Sequence, residues 1–96
     1  MPSYVMLVNW TAEGIRQVKQ APQRGDAFRK SVEHAGGKVL SFLHTMGAYD
    51  AVAAVELPSD EVANQLALRA GMQGFIRTTT LKGWSASEFA KFVETL

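Results

Sequence analysis

The chain has no cysteine, which excludes disulfides, thiolate metal sites and cysteine nucleophiles. Stability must come from packing and association. Neither sign of charge is in excess: ten Lys and Arg stand against nine Asp and Glu, for a formal charge of +1. No net field draws the chain to phosphate backbones or anionic bilayers, so neither nucleic acid nor a membrane is an expected partner. Long hydrophobic runs are also missing, and none approaches the ~18 residues of a bilayer span. Met1-Pro2-Ser3-Tyr4 enters strand-like alternation without a basic and apolar leader pattern, which makes a cytoplasmic location the expectation. Phosphate-cradling glycine patterns are absent. Gly71-Met72-Gln73-Gly74 is not followed by Lys-Ser/Thr, and no G-x-G-x-x-G opens a helix. His34 and His44 are the two histidines, and without cysteine or close ligand spacing they make no structural zinc site. A metal at His44 and Asp50 would need groups from a partner subunit, and no metal or cofactor is expected.

Ordinary globular material is present: 47% apolar and 20% charged residues in a chain of 96. That length fits one domain over residues 1–96 with one modest core. Tyr4, Met6, Val8 and Trp10 alternate with Val5, Leu7 and Asn9, a period of two that is apolar on both sides and predicts a strand covered on both faces. Thr11 and Glu13 predict a capped short helix through Ile15 and Val18, which Pro22 interrupts or restarts. Phe28, Val32 and Ala35 then give a helical stripe that stops at Gly36-Gly37. A second strand is expected over Lys38 to Met46, with Leu40, Phe42 and His44 on one side. After a turn at Gly47-Ala48, a third covers Ala51 to Leu57, the two forming an antiparallel hairpin. Ser59, Asp60 and Glu61 open a helix whose stripe is Val62, Leu66 and Ala70, ending before Gly71. The threonine run of Phe75 to Leu81 predicts a fourth strand, and Ser85 to Glu88 forms a capping box for a C-terminal helix through Phe89, Phe92, Val93 and Leu96.

This order is βαββαβ with an extra C-terminal helix. It is an α+β, ferredoxin-like arrangement with an antiparallel four-stranded sheet and both main helices on one face. The other face then needs a cover. Apolar burial is worth roughly 25 cal/mol per Å², so a wet face of several hundred Å² favours association. A second copy is the simplest cover, and the alternative is the C-terminal helix folding back.

Asn9-Trp10-Thr11 with Gly14-Ile15, then Thr45-Met46-Gly47-Ala48-Tyr49-Asp50, then Ala67-Leu68, Gly71, Gly74 and Arg77-Thr78-Thr79-Thr80-Leu81 occur in that order. Together these segments resemble the signature of the GYD domain family over roughly residues 4 to 84. The resemblance implies a fold related to the dimeric α/β barrels and small bacterial or archaeal proteins. It implies no single activity, because that barrel group includes cofactor-independent monooxygenases, haem-degrading enzymes and amino-acid-responsive regulators.

The polar candidates divide into two sets. His44, Tyr49 and Asp50 flank one turn, with Tyr49 as donor and Asp50 as base or anchor in a catalytic reading; in a structural reading Gly47 to Asp50 only shapes the hairpin. Asn9, Trp10, Arg77 and Thr79 are the ligand-binding candidates, Trp10 also serving as a core or interface anchor and Thr79 as a sheet-packing residue. Trp10 at the end of the first strand is expected to lie away from His44 unless a partner or a loop brings them together. Two functional readings stay open: a homo-oligomeric small-ligand-binding or accessory module with its pocket near His44, Tyr49 and Asp50, and a cofactor-independent enzyme using the same three residues.

Overall fold

In the computed structural model, which describes all 96 residues, the first alternating segment forms β1 (Ser3–Trp10). Thr11 caps α1 (Ala12–Arg16), its Oγ1 accepting the Gly14 N–H at 3.1 Å. A turn of 3₁₀ helix, Val18–Gln20, leads into α2 (Ala21–His34). Pro22 sits in the first turn of α2, where its missing N–H leaves no hydrogen bond unmade, so it starts the helix. Next come β2 (Lys38–His44), β3 (Ala51–Glu56), α3 (Asp60–Met72), β4 (Ile76–Gly83) and α4 (Ala86–Glu94). Ser59 and Ser85 cap α3 and α4, the latter through the expected capping box with Glu88. No helix is long and apolar enough to cross a membrane.

The strands pair antiparallel in the order β2-β3-β1-β4. α2 packs on β2 and α3 on β4, and Val32, Ala63 and Leu66 from these helices share one cluster with Tyr4, Met6, Ala53 and Val55. The fold is ferredoxin-like α+β.

Some local details depart from the sequence reading. β2 ends at His44 rather than Met46, because Thr45 turns the chain: its N–H donates to Asp50 O at 3.0 Å and its hydroxyl to Tyr49 O at 2.6 Å. A bulge between Val39 and Ser41 sets Val39 opposite Val55, Phe42 opposite Ala53 and His44 opposite Ala51. Val39 therefore joins Phe42 and His44 on the helix-covered face, and Leu40 is displaced outward. α3 continues through Gly71 to Met72. Gly74, at φ 84°, supplies the left-handed turn that follows.

The core closes tightly at the end of the sheet where β1 begins. Val32, Val55 and Leu57 are fully buried there beside Tyr4. The Tyr4 hydroxyl donates to Asp60 Oδ1 at 2.5 Å, and Lys82 Nζ lies 2.9 Å from the same carboxylate. Burial, seconded by Asp60, pushes the Tyr4 phenol up to about 12. The Tyr4 hydrogen bond and then Lys82 hold Asp60 below its ordinary value.

Helices cover only one face. On the other lie Val5 and Leu7 of β1, Val52 and Ala54 of β3, Leu43 of β2 and Leu81 of β4, which the strand registers place side by side. α4 does not fold back over them: every one of its residues is exposed, including Phe89, Phe92 and Val93.

The Tyr4 shift predicts a pH signature. A folded phenol near 12 against about 10 in the unfolded chain contributes stability that is complete below about pH 10 and lost as pH rises through the folded value. Tyr4→Phe is expected to lack that alkaline decline. Asp60 acts oppositely, its contribution being present above the unfolded value and lost as pH falls through the folded one. Urea denaturation of both proteins from about pH 7 to 11.5 checks the first part; a gap between them that stays constant above pH 10 contradicts it.

Candidate functional site

The end of β1 is fastened to two other segments, the turn at Ala48 to Asp50 and the loop at Gly74 and Phe75. Trp10 N–H donates to Asp50 Oδ2 at 2.8 Å, Asp50 N–H donates to Val8 O at 2.8 Å, and the Asn9 amide donates to Ala48 O at 2.9 Å. Thr11 binds the loop after α3: its N–H donates to Phe75 O at 3.0 Å and its hydroxyl to Gly74 O at 2.6 Å. Gly14 permits this approach, since a Cβ there would lie 1.9 Å from Phe75 O. Three segments distant in sequence thus form one polar clip around the end of the central strand.

Above that end of the sheet the helices leave a cleft of about 780 Å³. Its floor is Met6, Val8, Trp10, Phe42, His44, Ala51, Ile76 and Thr78, and its walls come from α2 and α3. Small side chains make the space. Ala51 lies on the floor, Gly25 and Ala27 line the α2 wall, and Ala67 and Ala70 line the α3 wall. In close-packed interiors, replacing large side chains by these leaves volume that the backbone does not collapse to fill. One end is bridged by Arg24, whose guanidinium lies 3.8 Å from the Phe75 ring centroid and donates to Gln17 O and Gln20 Oε1 at 3.3 and 3.1 Å.

His44 lines this cleft, its ring edge-on to Phe42 at 5.2 Å between centroids. Trp10 lines it too. The expectation that Trp10 and His44 lie apart within one chain is corrected: β1 and β2 both pair antiparallel with β3 and so run parallel to each other, ending at the same edge of the sheet. Tyr49 and Asp50 do not line the cleft. Asp50 instead receives the Trp10 amide, and the Tyr49 hydroxyl makes no hydrogen bond within the chain. Asn9, Arg77 and Thr79 lie on the opposite, uncovered face, where Asn9 pairs with Arg77 and Leu7 with Thr79. Thr78, one residue away from both, faces the cleft. Arg24, Arg69 and Gln73 line it as well and were not singled out from the sequence, since each reads alone as a solvated helix residue. The available signal was the small-residue spacing of Ala67 and Ala70. No group of three or more His, Asp or Glu side chains converges to hold a metal ion.

A ferredoxin-like sheet with one open face, a polar clip at the end of its first strand and a cleft under its helices defines a small α+β protein. Residues 4–93 match the GYD domain, and the chain belongs to the GYD domain family. Among solved structures it is similar to TTHA0845 from Thermus thermophilus, with a TM-score of 0.55 and 22% identity, covering 90% of this chain and 96% of that one. That likeness shows the fold. No curated protein matches the chain significantly.

The clip gives a direct test of what Asp50 does. Asp50→Ala strands a part-buried N–H and is expected to lower stability by about 1–3 kcal/mol, whereas Asp50→Asn, which keeps an acceptor oxygen, restores most of it. Chemical denaturation of both variants measures this, and equal stability of Asp50→Ala and wild type contradicts the clip. Gly14→Ala is expected to cost about 1–3 kcal/mol through the clash with Phe75 O.

Proposed function

We propose that the chain is a homo-oligomeric module that binds a small molecule, with the ligand in the cleft between α2 and α3 and a second copy over the open sheet face. The observation that carries it is the cleft. About 780 Å³ lies inside the range of roughly 300–1,000 Å³ found for small-molecule sites, and an apolar floor with a few polar groups at its rim is the usual lining of such sites. Filling it with one larger side chain per wall would have given a tighter core, so the small residues favour an occupant.

The second copy is supported by what one chain leaves wet. Leu43 is 62% exposed and Leu81 49% exposed on the open face, and Phe89, Phe92 and Val93 of α4 are exposed as well. Apolar side chains left exposed together on one sheet face favour association, and two such sheets face to face would form a dimeric α/β barrel.

A second reading, a cofactor-independent enzyme of the monooxygenase or proton-transfer kind, draws its support from His44 on the cleft floor, with Trp10 and Thr78 beside the space a substrate would take. The readings part on whether a bound molecule is recovered unchanged after incubation.

Two measurements test the leading reading. Ala70→Leu places extra bulk in the cleft and is expected to abolish most of the fluorescence gain of a neutral apolar dye such as Nile red, with stability held within about 1 kcal/mol; undiminished dye binding contradicts the cleft as the site. Sedimentation velocity across dilution is expected to show a dimer or larger species that Val52→Asp dissociates or unfolds. A wild-type chain that sediments as a monomer throughout contradicts the paired sheets.

A further inference from the structure

The ionisable side chains that line the cleft are all basic: Arg24, Lys30 and His34 from α2, Arg69 from α3 and His44 from β2. The chain as a whole carries acids and bases almost equally, and the same two helices hold Asp26, Glu33, Asp60 and Glu61. Those acids stay off the lining. An apolar space with cations at its edge and no anion complements a ligand of opposite construction.

Position narrows the chemistry further. Arg24 stands in the first turn of α2 and Arg69 in the last turn of α3. These two helix ends meet at the same edge of the sheet, because Arg24 rests on Phe75, just beyond α3. Arg24 is held there by Gln17, Gln20 and the Phe75 ring, while Arg69 makes no ion pair or side-chain hydrogen bond within the chain. A guanidinium held in place, with a free one lining the same end of the cleft, suits a planar carboxylate, which takes paired N–H donors. The apolar floor of Met6, Val8 and Phe42 cannot solvate a charge and suits a hydrocarbon body.

We propose that the cleft's ligand is an amphipathic carboxylic acid, its apolar body on the sheet floor and its carboxylate at the Arg24–Arg69 edge. This rests on the cleft being a ligand site, as proposed above, and adds the class of molecule it takes.

Titration calorimetry of the full chain with three probes of one chain length, decanoate, decanol and decylammonium, tests it. Decanoate is expected to bind about tenfold or more tightly than decanol, the usual advantage of a charge-assisted pair, with decylammonium weakest. Arg69→Gln, an exposed position, is expected to bring the affinity for decanoate close to that for decanol. If decanol or decylammonium binds as well as decanoate, the carboxylate proposal is overturned and the ligand site stands. If the preference for decanoate survives in both Arg69→Gln and Arg24→Gln, the head-group position is wrong and the proposal falls. Absence of binding by all three overturns the proposal together with the reading beneath it.

Discussion

The central strand β1 carries apolar side chains on both faces, and the two main helices of this chain cover only one of them. Tyr4, Met6, Val8 and Trp10 look toward α2 and α3, while Val5 and Leu7 look the other way with Val52, Ala54, Leu43 and Leu81 beside them. Burial of apolar surface is the main favourable term in folding, so a small chain with one covered face leaves much of its driving force unused until something meets the other. The architecture of the molecule follows from how each face is satisfied.

On the helix side, packing is uneven along the strand. At the Tyr4 end Val32, Val55 and Leu57 fill the space completely; toward Trp10 the strand beneath narrows to Ala53 and Ala51, and the helix walls to Gly25, Ala27, Ala67 and Ala70. A close-packed interior does not tolerate such a run of small residues without leaving volume, and the cleft is that volume. The polar clip of Trp10, Thr11, Asp50, Gly74 and Phe75 fixes the strand end and the loop at the cleft's open edge. Local hydrogen bonding thereby sets the shape of a space that hydrophobic packing leaves open.

Much of the fold was legible because its signals are local. Alternation in β1, the Thr11, Ser59 and Ser85 caps and the threonines of β4 each specify an element without reference to the rest of the chain. The bulge at Val39 to Ser41 was not, since it changes the face of Val39 through pairing with β3 alone. The site was less legible for the same reason. His44 and Trp10 were recognised as chemically capable, but their sharing of one cleft depends on a strand lying between them. Asn9, Arg77 and Thr79 have the right chemistry and occupy the wrong face, a distinction one residue of register decides. Asp50 looks like a base in sequence, and its carboxylate accepts a backbone amide in the fold. Arg24 and Arg69 gain meaning only from lining one cleft that the fold builds from two helices.

A native mass spectrum of the purified protein tests the central claim most directly, because it reads both faces at once. The account predicts an assembly of two or more chains, with added mass from a retained acid that is shed on denaturation. A single chain with no added mass would contradict it.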